Sequence, residues 1–202
     1  MIKNIIFDFG DIFINLDKTA VFKEWAKFGF KEMTPELDIL SKRYEKGVIS
    51  SNHFIAELQG IFPTASAAEI KKAWNLILLD FPEKRLEFIE GLAQNKTYRL
   101  FLLSNTNELH IEYVIATMGK EKFKRFKDCF EKFYLSHEIN LRKPDAEIYE
   151  FVLVENKLLP EETFFIDDTP ENTTAAELLG IRTWNLSVGE EDITALPQKI
   201  AL

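Results

Sequence analysis

The chain has little with which to fasten itself covalently. Its 202 residues include a single cysteine, Cys129, so no internal disulfide can form, and that poverty suits a reducing compartment. Long apolar runs are missing too: stretches such as Asn75–Phe81 fall far short of a membrane span. Met1, Ile2 and Lys3 lead into a strand-like run with no secretory pattern, and the expectation is a soluble, cytoplasmic protein with no membrane partner. Positive charge is in deficit. Twenty-five Lys and Arg against 33 Asp and Glu leave a net charge of −8, which excludes a general attraction to nucleic acid or to an anionic membrane. His53, His110 and His137 are too scattered for metal-ligand spacing, and no role is assigned to them. Repeats and low-complexity segments are absent. An anionic small molecule would need local positive charge here, from a lysine, a metal ion or helix N-termini.

What the chain does have is apolar bulk. Hydrophobic residues make up 46% of it and 18 are Phe, enough for one core and a second, smaller one. Lys3–Phe9 is an Ile- and Phe-rich run of the kind a fully buried strand shows. From about Leu16 to Phe88 the pattern is helical. Asp17 can cap a helix with Val21, Phe22, Trp25 and Phe28 on one face. Thr34 and Pro35 start a second helix, stopped by Gly47; Ser66 and Glu69 form a capping box ahead of a helix through Trp74 and Leu78. Pro82 starts another that ends near Asn95. Strands and helices then alternate. Tyr98–Leu103, Cys129–Ser136, Thr163–Asp167 and Arg182–Leu186 read as strands, with helices from about Glu108, from Asp145 to Asn156 and from Glu171 to Leu179. The expected fold is α/β: a doubly wound parallel sheet (residues 1–15 and 89–202) with a helical insertion (residues 16–88) after its first strand.

In open parallel sheets, ligands bind beyond the carboxyl ends of the strands. Asp8 follows the first strand, Ser104 and Asn105 the second, and Asp167 and Asp168 end the run at Thr163; Lys143 stands before Pro144 at a helix entrance. Alone, each has an ordinary reading: a turn residue, a helix cap, a solvated lysine. Two adjacent acids at the end of a buried strand are harder to explain that way, because capping needs only one. Together the four groups suit attack by a carboxylate on phosphorus. A phosphate monoester repels an anionic nucleophile, so positive charge must neutralise both. Mg²⁺ held by Asp8 and by Asp168 or Asp167 would bridge them, Lys143 would offset further charge, and Ser104 and Asn105, at a helix start, would hold phosphate oxygens.

These segments resemble the motifs of the haloacid dehalogenase-like superfamily, and the resemblance runs nearly end to end. Ile5–Gly10 (IIFDFG) is similar to its first motif, Leu102–Asn107 (LLSNTN) to its second, Leu141–Tyr149 (LRKPDAEIY) to its third and Phe164–Ile181 (FFIDDTPENTTAAELLGI) to its fourth. The resemblance implies a Rossmann-like core, Mg²⁺ as cofactor, Asp8 as a nucleophile forming an aspartyl-phosphate, Ser104 as phosphate ligand and Lys143 as the charge-balancing lysine. It also implies Asp168 as metal ligand with Asp167 beside it, the Gly10 carbonyl completing the metal shell, and the helical insertion as a cap that selects a small phosphorylated metabolite.

One departure stands out. Phosphatases of this superfamily usually carry a second Asp where this chain has Gly10, and a missing general acid–base costs about 10²- to 10⁴-fold. Asp11, one residue on, is the candidate surrogate. A branch with FDxG in this motif, which includes sugar-phosphate phosphatases, resembles the chain closely. Two alternatives remain beside the phosphatase: a 2-haloacid dehalogenase-type hydrolase, which uses the same Asp on carbon without a metal, and a catalytically weak binding protein of the same fold.

Overall fold

A computed structural model describes residues 1–200. The elements are β1 (Asn4–Phe7), α1 (Ala20–Trp25), α2 (Pro35–Glu45), α3 (Ser51–Ile61), α4 (Ala67–Asn75), α5 (Glu83–Asn95), β2 (Arg99–Ser104), α6 (Glu108–Met118), α7 (Lys120–Lys127), β3 (Lys132–Leu135), α8 (Ser136–Ile139), α9 (Ala146–Asn156), β4 (Thr163–Asp167), α10 (Pro170–Glu177), β5 (Arg182–Asn185) and α11 (Leu196–Ile200). The five strands form one parallel sheet in the order β3-β2-β1-β4-β5, with β1 in the centre. Alternation along the strands feeds two apolar layers. Ile5, Phe7, Leu100, Leu102 and Ile166 face a cluster with Phe13, Leu86, Ile89 and Phe126, whereas Ile6, Phe101, Leu103 and Phe165 face Ile148, Tyr149, Val152 and Ala176. The doubly wound α/β architecture expected from the sequence is present. Each fully buried Ile or Phe contributes roughly 1.5–3 kcal/mol over leaving it in water.

Helices α1 to α4 keep a third apolar cluster of their own, built on Trp25, Leu40, Tyr44, Phe54, Leu58 and Trp74. The two connectors that lead into and out of these helices run side by side: Leu16 bridges Leu78, Asn15 N–H donates to Asp80 O (2.9 Å), and Asp17 N–H donates to Ile77 O (2.8 Å). Helix α5 follows the second connector and packs through Leu86 and Ile89 on the sheet. The end of α2 docks on the loop that carries Lys143. Ser136 Oγ donates to Glu45 O (2.6 Å), Asn140 Nδ2 to Lys46 O (2.9 Å), and Arg142 pairs with Glu45 (2.7 Å). Gly47 makes this approach possible: at φ +66°, an added Cβ would stand 2.1 Å from His137 O.

Several local expectations shift by a few residues. Thr19, not Asp17, is the N-cap of α1, and Asp17 Oδ1 accepts from Thr19 N–H (2.9 Å) in the preceding turn. Phe22 points outward, 37% exposed, because the apolar face of so short a helix holds only Val21 and Trp25. The strand expected over Cys129–Ser136 covers only Lys132–Leu135; Phe130 reaches the core from the turn after α7. Helix α4 stops at Asn75, so Leu78 serves the connector instead. The capping box at Ser66 and Glu69 is present, and Thr34 Oγ1 caps α2 by accepting from Leu37 N–H (3.3 Å) with Pro35 next in line. No described helix is long and apolar enough to cross a membrane.

Candidate active site

Register sets the site. Phe7 is level with Leu102 on one side and Ile166 on the other, so Asp8, Leu103 and Asp167 share the next rung, at the carboxyl ends of the three central strands. Lys143 reaches beneath this rung from the loop between α8 and α9. Its Nζ donates to Asp8 Oδ1 (2.7 Å), Asp167 Oδ2 (2.6 Å) and Leu103 O (2.8 Å), using all three protons, with the side chain only 1% exposed. Burial pulls the Lys143 ammonium down, but Asp167 and Asp8 outweigh it and hold the group above the ordinary lysine range. Asp8 is its counterpart. Burial raises its carboxyl to about 7, Lys143 opposes the rise, and Asp167 and Asp168 add to it.

Asp8, Asp167 and Asp168 each bring a carboxylate oxygen within 4.8 Å of the other two. All the donors are hard oxygens, a set that suits Mg²⁺. Asp167 lies beneath the cavity, fully buried; Thr169 N–H (2.8 Å) and Asn172 Nδ2 (3.0 Å) donate to its Oδ1 and fix its plane. Burial raises the Asp168 carboxyl, and Lys18 opposes the rise. Lys18 Nζ stands 2.6 Å from Asp168 Oδ2 and 2.9 Å from Asp11 Oδ2. Burial works against this ammonium as well, yet the hydrogen bonds to Asp168 and Asp11 hold it above the ordinary lysine range.

A cavity of about 470 Å³ opens over the rung, lined by Asp8, Gly10, Ser104, Asn105, Lys143 and Asp168. Connector residues Leu16 and Leu78 add apolar lining, and Lys42, Glu45 and Arg142 add polar lining. The Ser104 hydroxyl has no partner among the described residues. Asn105 is differently placed: its Nδ2 donates to Lys143 O (2.9 Å) and its Oδ1 accepts from Lys143 N–H (3.0 Å). That side chain is committed to the lysine's backbone, which leaves only its main-chain N–H for a ligand. Gly10 carries no second acid, and an added Cβ there would meet Leu16 Cδ1 at 2.9 Å. Its carbonyl accepts from Ile12 N–H (2.6 Å) and keeps one lone pair. Asp11 is not brought to the cavity. At φ +54° its carboxylate turns into the loop, where Oδ1 accepts from Leu16 N–H (3.1 Å) and Oδ2 meets Lys18.

The sequence reading missed three residues: Lys18, Asn172 and His110. Asn172 stands in the first turn of α10 and faces back on Asp167 at the end of β4, five residues earlier. His110 is half-buried at the cavity wall with its ring stacked on Trp74 (5.2 Å). Asn107 Oδ1 accepts from Trp74 Nε1 (3.3 Å) and His110 N–H (3.1 Å), so the Asn107 amide nitrogen faces His110 Nδ1 (3.1 Å). Nδ1 is then the acceptor, and Nε2 carries the proton that it donates to Trp74 O (3.2 Å). Burial pushes the imidazole down to about 4. In an NMR titration His110 should stay neutral to about pH 4, and a midpoint near the usual 6.5 would refute this network. Because the unfolded chain takes up that proton first, stability should fall as pH drops through the interval between the two values.

The chain matches the family model of the haloacid dehalogenase-like hydrolases over residues 2–180. It is 29% identical over 197 residues to a D-ribitol-5-phosphate phosphatase from Bacteroides thetaiotaomicron, covering 95% of each chain. A HAD family enzyme of that organism, crystallised as an aspartate-to-alanine variant with magnesium and inorganic phosphate, superposes with a TM-score of 0.83 at 34% identity, over 95% of this chain and 96% of that one. A predicted HAD-like hydrolase from Porphyromonas gingivalis superposes with a TM-score of 0.84 at 29% identity, over 100% and 99%.

Proposed function

The chain belongs to the haloacid dehalogenase-like hydrolase family, and from that premise we propose that it is a Mg²⁺-dependent phosphatase acting on a small hydroxylated phosphate monoester, such as a sugar or polyol phosphate. The observation that carries this reading is a carboxylate, Asp8, held by a buried lysine beside two further acids at the floor of a 470 Å³ cavity. Relatives named as a ribitol-phosphate phosphatase and crystallised with magnesium and phosphate support it.

In this reading Asp8 attacks phosphorus, the ester oxygen leaves with its electron pair, and water later hydrolyses the aspartyl-phosphate to restore the carboxylate. Lys143 fixes Asp8 Oδ1, so Oδ2 is the attacking oxygen. Asp8, Asp168 and the free lone pair of the Gly10 carbonyl would hold Mg²⁺, while Asp167 anchors Lys143 and can contribute at the margin. When bound, the ion offsets the charge that keeps a carboxylate and a phosphate apart. The Ser104 hydroxyl and the Asn105 N–H hold phosphate oxygens. Helices α1 to α4 serve as the cap, joined through the paired connectors, and α5 belongs with the core, so the cap ends before Pro82 rather than at Phe88. Lys42, Glu45 and Arg142 supply donors and acceptors suited to the hydroxyls of a polyol.

Two observations oppose the alternatives. A metal-free dehalogenase has no need for the Asp167–Asp168 pair, and a mere binding protein has no need for a buried lysine that spends all its protons on the site. Phosphate release from a panel of sugar and polyol phosphates, ribitol 5-phosphate among them, tests the reading. Turnover is expected with Mg²⁺ and loss of it in excess chelator. Halide release from a 2-haloacid in chelator, with no phosphate released from the panel, would overturn it.

A further inference from the structure

Lys18 lies just past the first connector, and its ammonium has no part in the chemistry above. It joins two carboxylates that differ from it in freedom: the Asp168 and Asp11 side chains are 8% and 4% exposed, while Lys18 is 56% exposed. The acids are fixed, and the lysine is the member that can leave, since its stem gives up little burial when it swings. Asp11 is fixed further by its bond to the Leu16 N–H at 3.1 Å. The Asp168 carboxylate has two claims on it, as an acceptor for Lys18 and as a member of the three-carboxylate cluster. An ammonium and a divalent cation on the same carboxylate repel each other and divide its charge.

Charge bookkeeping around the cavity points the same way. Among the described residues the four acids Asp8, Asp11, Asp167 and Asp168 form ion pairs with Lys18 and Lys143 alone, while Lys42 and Arg142 on the cavity wall pair with Asp38 and Glu45. Without a divalent cation, Lys18 is needed to hold Asp168. With one bound, that need ends, and an incoming phosphate brings negative charge to a cavity that Lys18 already lines. Asp11 then has a second use beside holding the Leu16 N–H: it tethers the lysine within reach of the site.

We propose that Lys18 exchanges partners, holding Asp168 while the cation is absent, yielding that carboxylate to the cation, and then turning its ammonium to the phosphate group while Asp11 tethers it. The proposal rests on the phosphatase reading, and calorimetry on the full chain separates the two. Lys18→Met should bind Mg²⁺ about fivefold more tightly than wild type. With Mg²⁺ saturating, the same variant should bind inorganic phosphate about tenfold more weakly, and Lys18→Arg should restore most of that loss. Opposite signs for the two ligands are the signature, because a lysine with a structural role alone would move both in one direction. Unchanged Mg²⁺ affinity, or unchanged phosphate affinity, in Lys18→Met would overturn the exchange. Asp168→Asn is the control on the site itself: it should lose Mg²⁺ binding, and full retention would overturn the metal site and the exchange with it.

Discussion

Asp8→Asn should end turnover: kcat/KM falls by about 10⁴-fold or more, equivalent to about 5.5 kcal/mol of transition-state stabilisation, on whichever phosphate ester the wild type cleaves. The substitution is isosteric. Asn can still present its Oδ1 to Lys143, so the local hydrogen bond at 2.7 Å has a successor, but a neutral amide cannot attack phosphorus. Oδ2 accepts no hydrogen bond from any described residue, and nothing at Gly10 crowds it; even an added Cβ there would sit 3.8 Å away. The approach is open to substrate and the oxygen is free to react. Stability should change little, because one of two carboxylates sharing a single buried ammonium loses its charge while the other keeps the partner. Acid-quenched wild type should carry a phosphorylated carboxylate during turnover, and the variant should not. A variant that keeps more than about a hundredth of the wild-type rate, with its fold intact by circular dichroism, would remove Asp8 from the nucleophile's role.

Gly10 bears on which esters suit the site. A carboxylate there would have to displace Leu16, whose Cδ1 lies 2.9 Å from the Cβ position, and Asp11 is already engaged with Leu16 N–H and Lys18. In the proposed reaction, then, neither of these positions supplies the proton for the departing oxygen. A phosphate on an anomeric or acyl oxygen asks least of such a site.

The parallel strands were legible because both faces of the sheet are covered, so each strand reads as a continuous apolar run ending on a polar residue. The acids and Lys143 stood out for the same reason, as polar groups placed where a sheet opens to its ligand. Edges were harder. Cys129 and Phe130 extend the apolar run of β3 although they belong to the preceding turn, and Phe22 fits a helical face that a six-residue helix does not have room to bury. What the sequence hid in the site was side chains acting across long separations. Asn105 clamps a backbone 38 residues away, and Lys18 meets an acid 150 residues away; neither contact leaves a local pattern. Asp11 is the contrasting case: adjacency to Gly10 suggests a surrogate acid, whereas the left-handed backbone turns its carboxylate to Leu16 N–H and Lys18.

Lys143→Met should be as damaging to the fold as Asp8→Asn is to the chemistry. Met fills much of the same volume, so the loss is electrostatic: Asp8 and Asp167 remain buried at the C-terminal edge of the sheet with no cation between them. Removing one partner of a buried ion pair costs about 3–5 kcal/mol, a large share of the 5–15 kcal/mol that holds a domain folded. The urea midpoint should drop by about 1–2 M. A second replacement tests the cause. In Lys143→Met/Asp167→Asn one stranded charge is gone, so the double variant should be more stable than Lys143→Met alone, whereas additive losses would mean that packing, not charge, was at stake. The pH dependence has a definite sign. Burial already raises Asp8 to about 7 with Lys143 opposing it; without that opposition, the folded variant takes up a proton at higher pH than the unfolded chain does. A folded state that binds protons more readily gains stability as pH falls. In chelator, wild-type Asp8 takes up its own proton near pH 7, so the deficit of Lys143→Met relative to wild type should narrow as pH falls toward about 7 and level off below it. A deficit that stays constant from about pH 9 to pH 7 would show that the lysine's charge is not what the fold depends on.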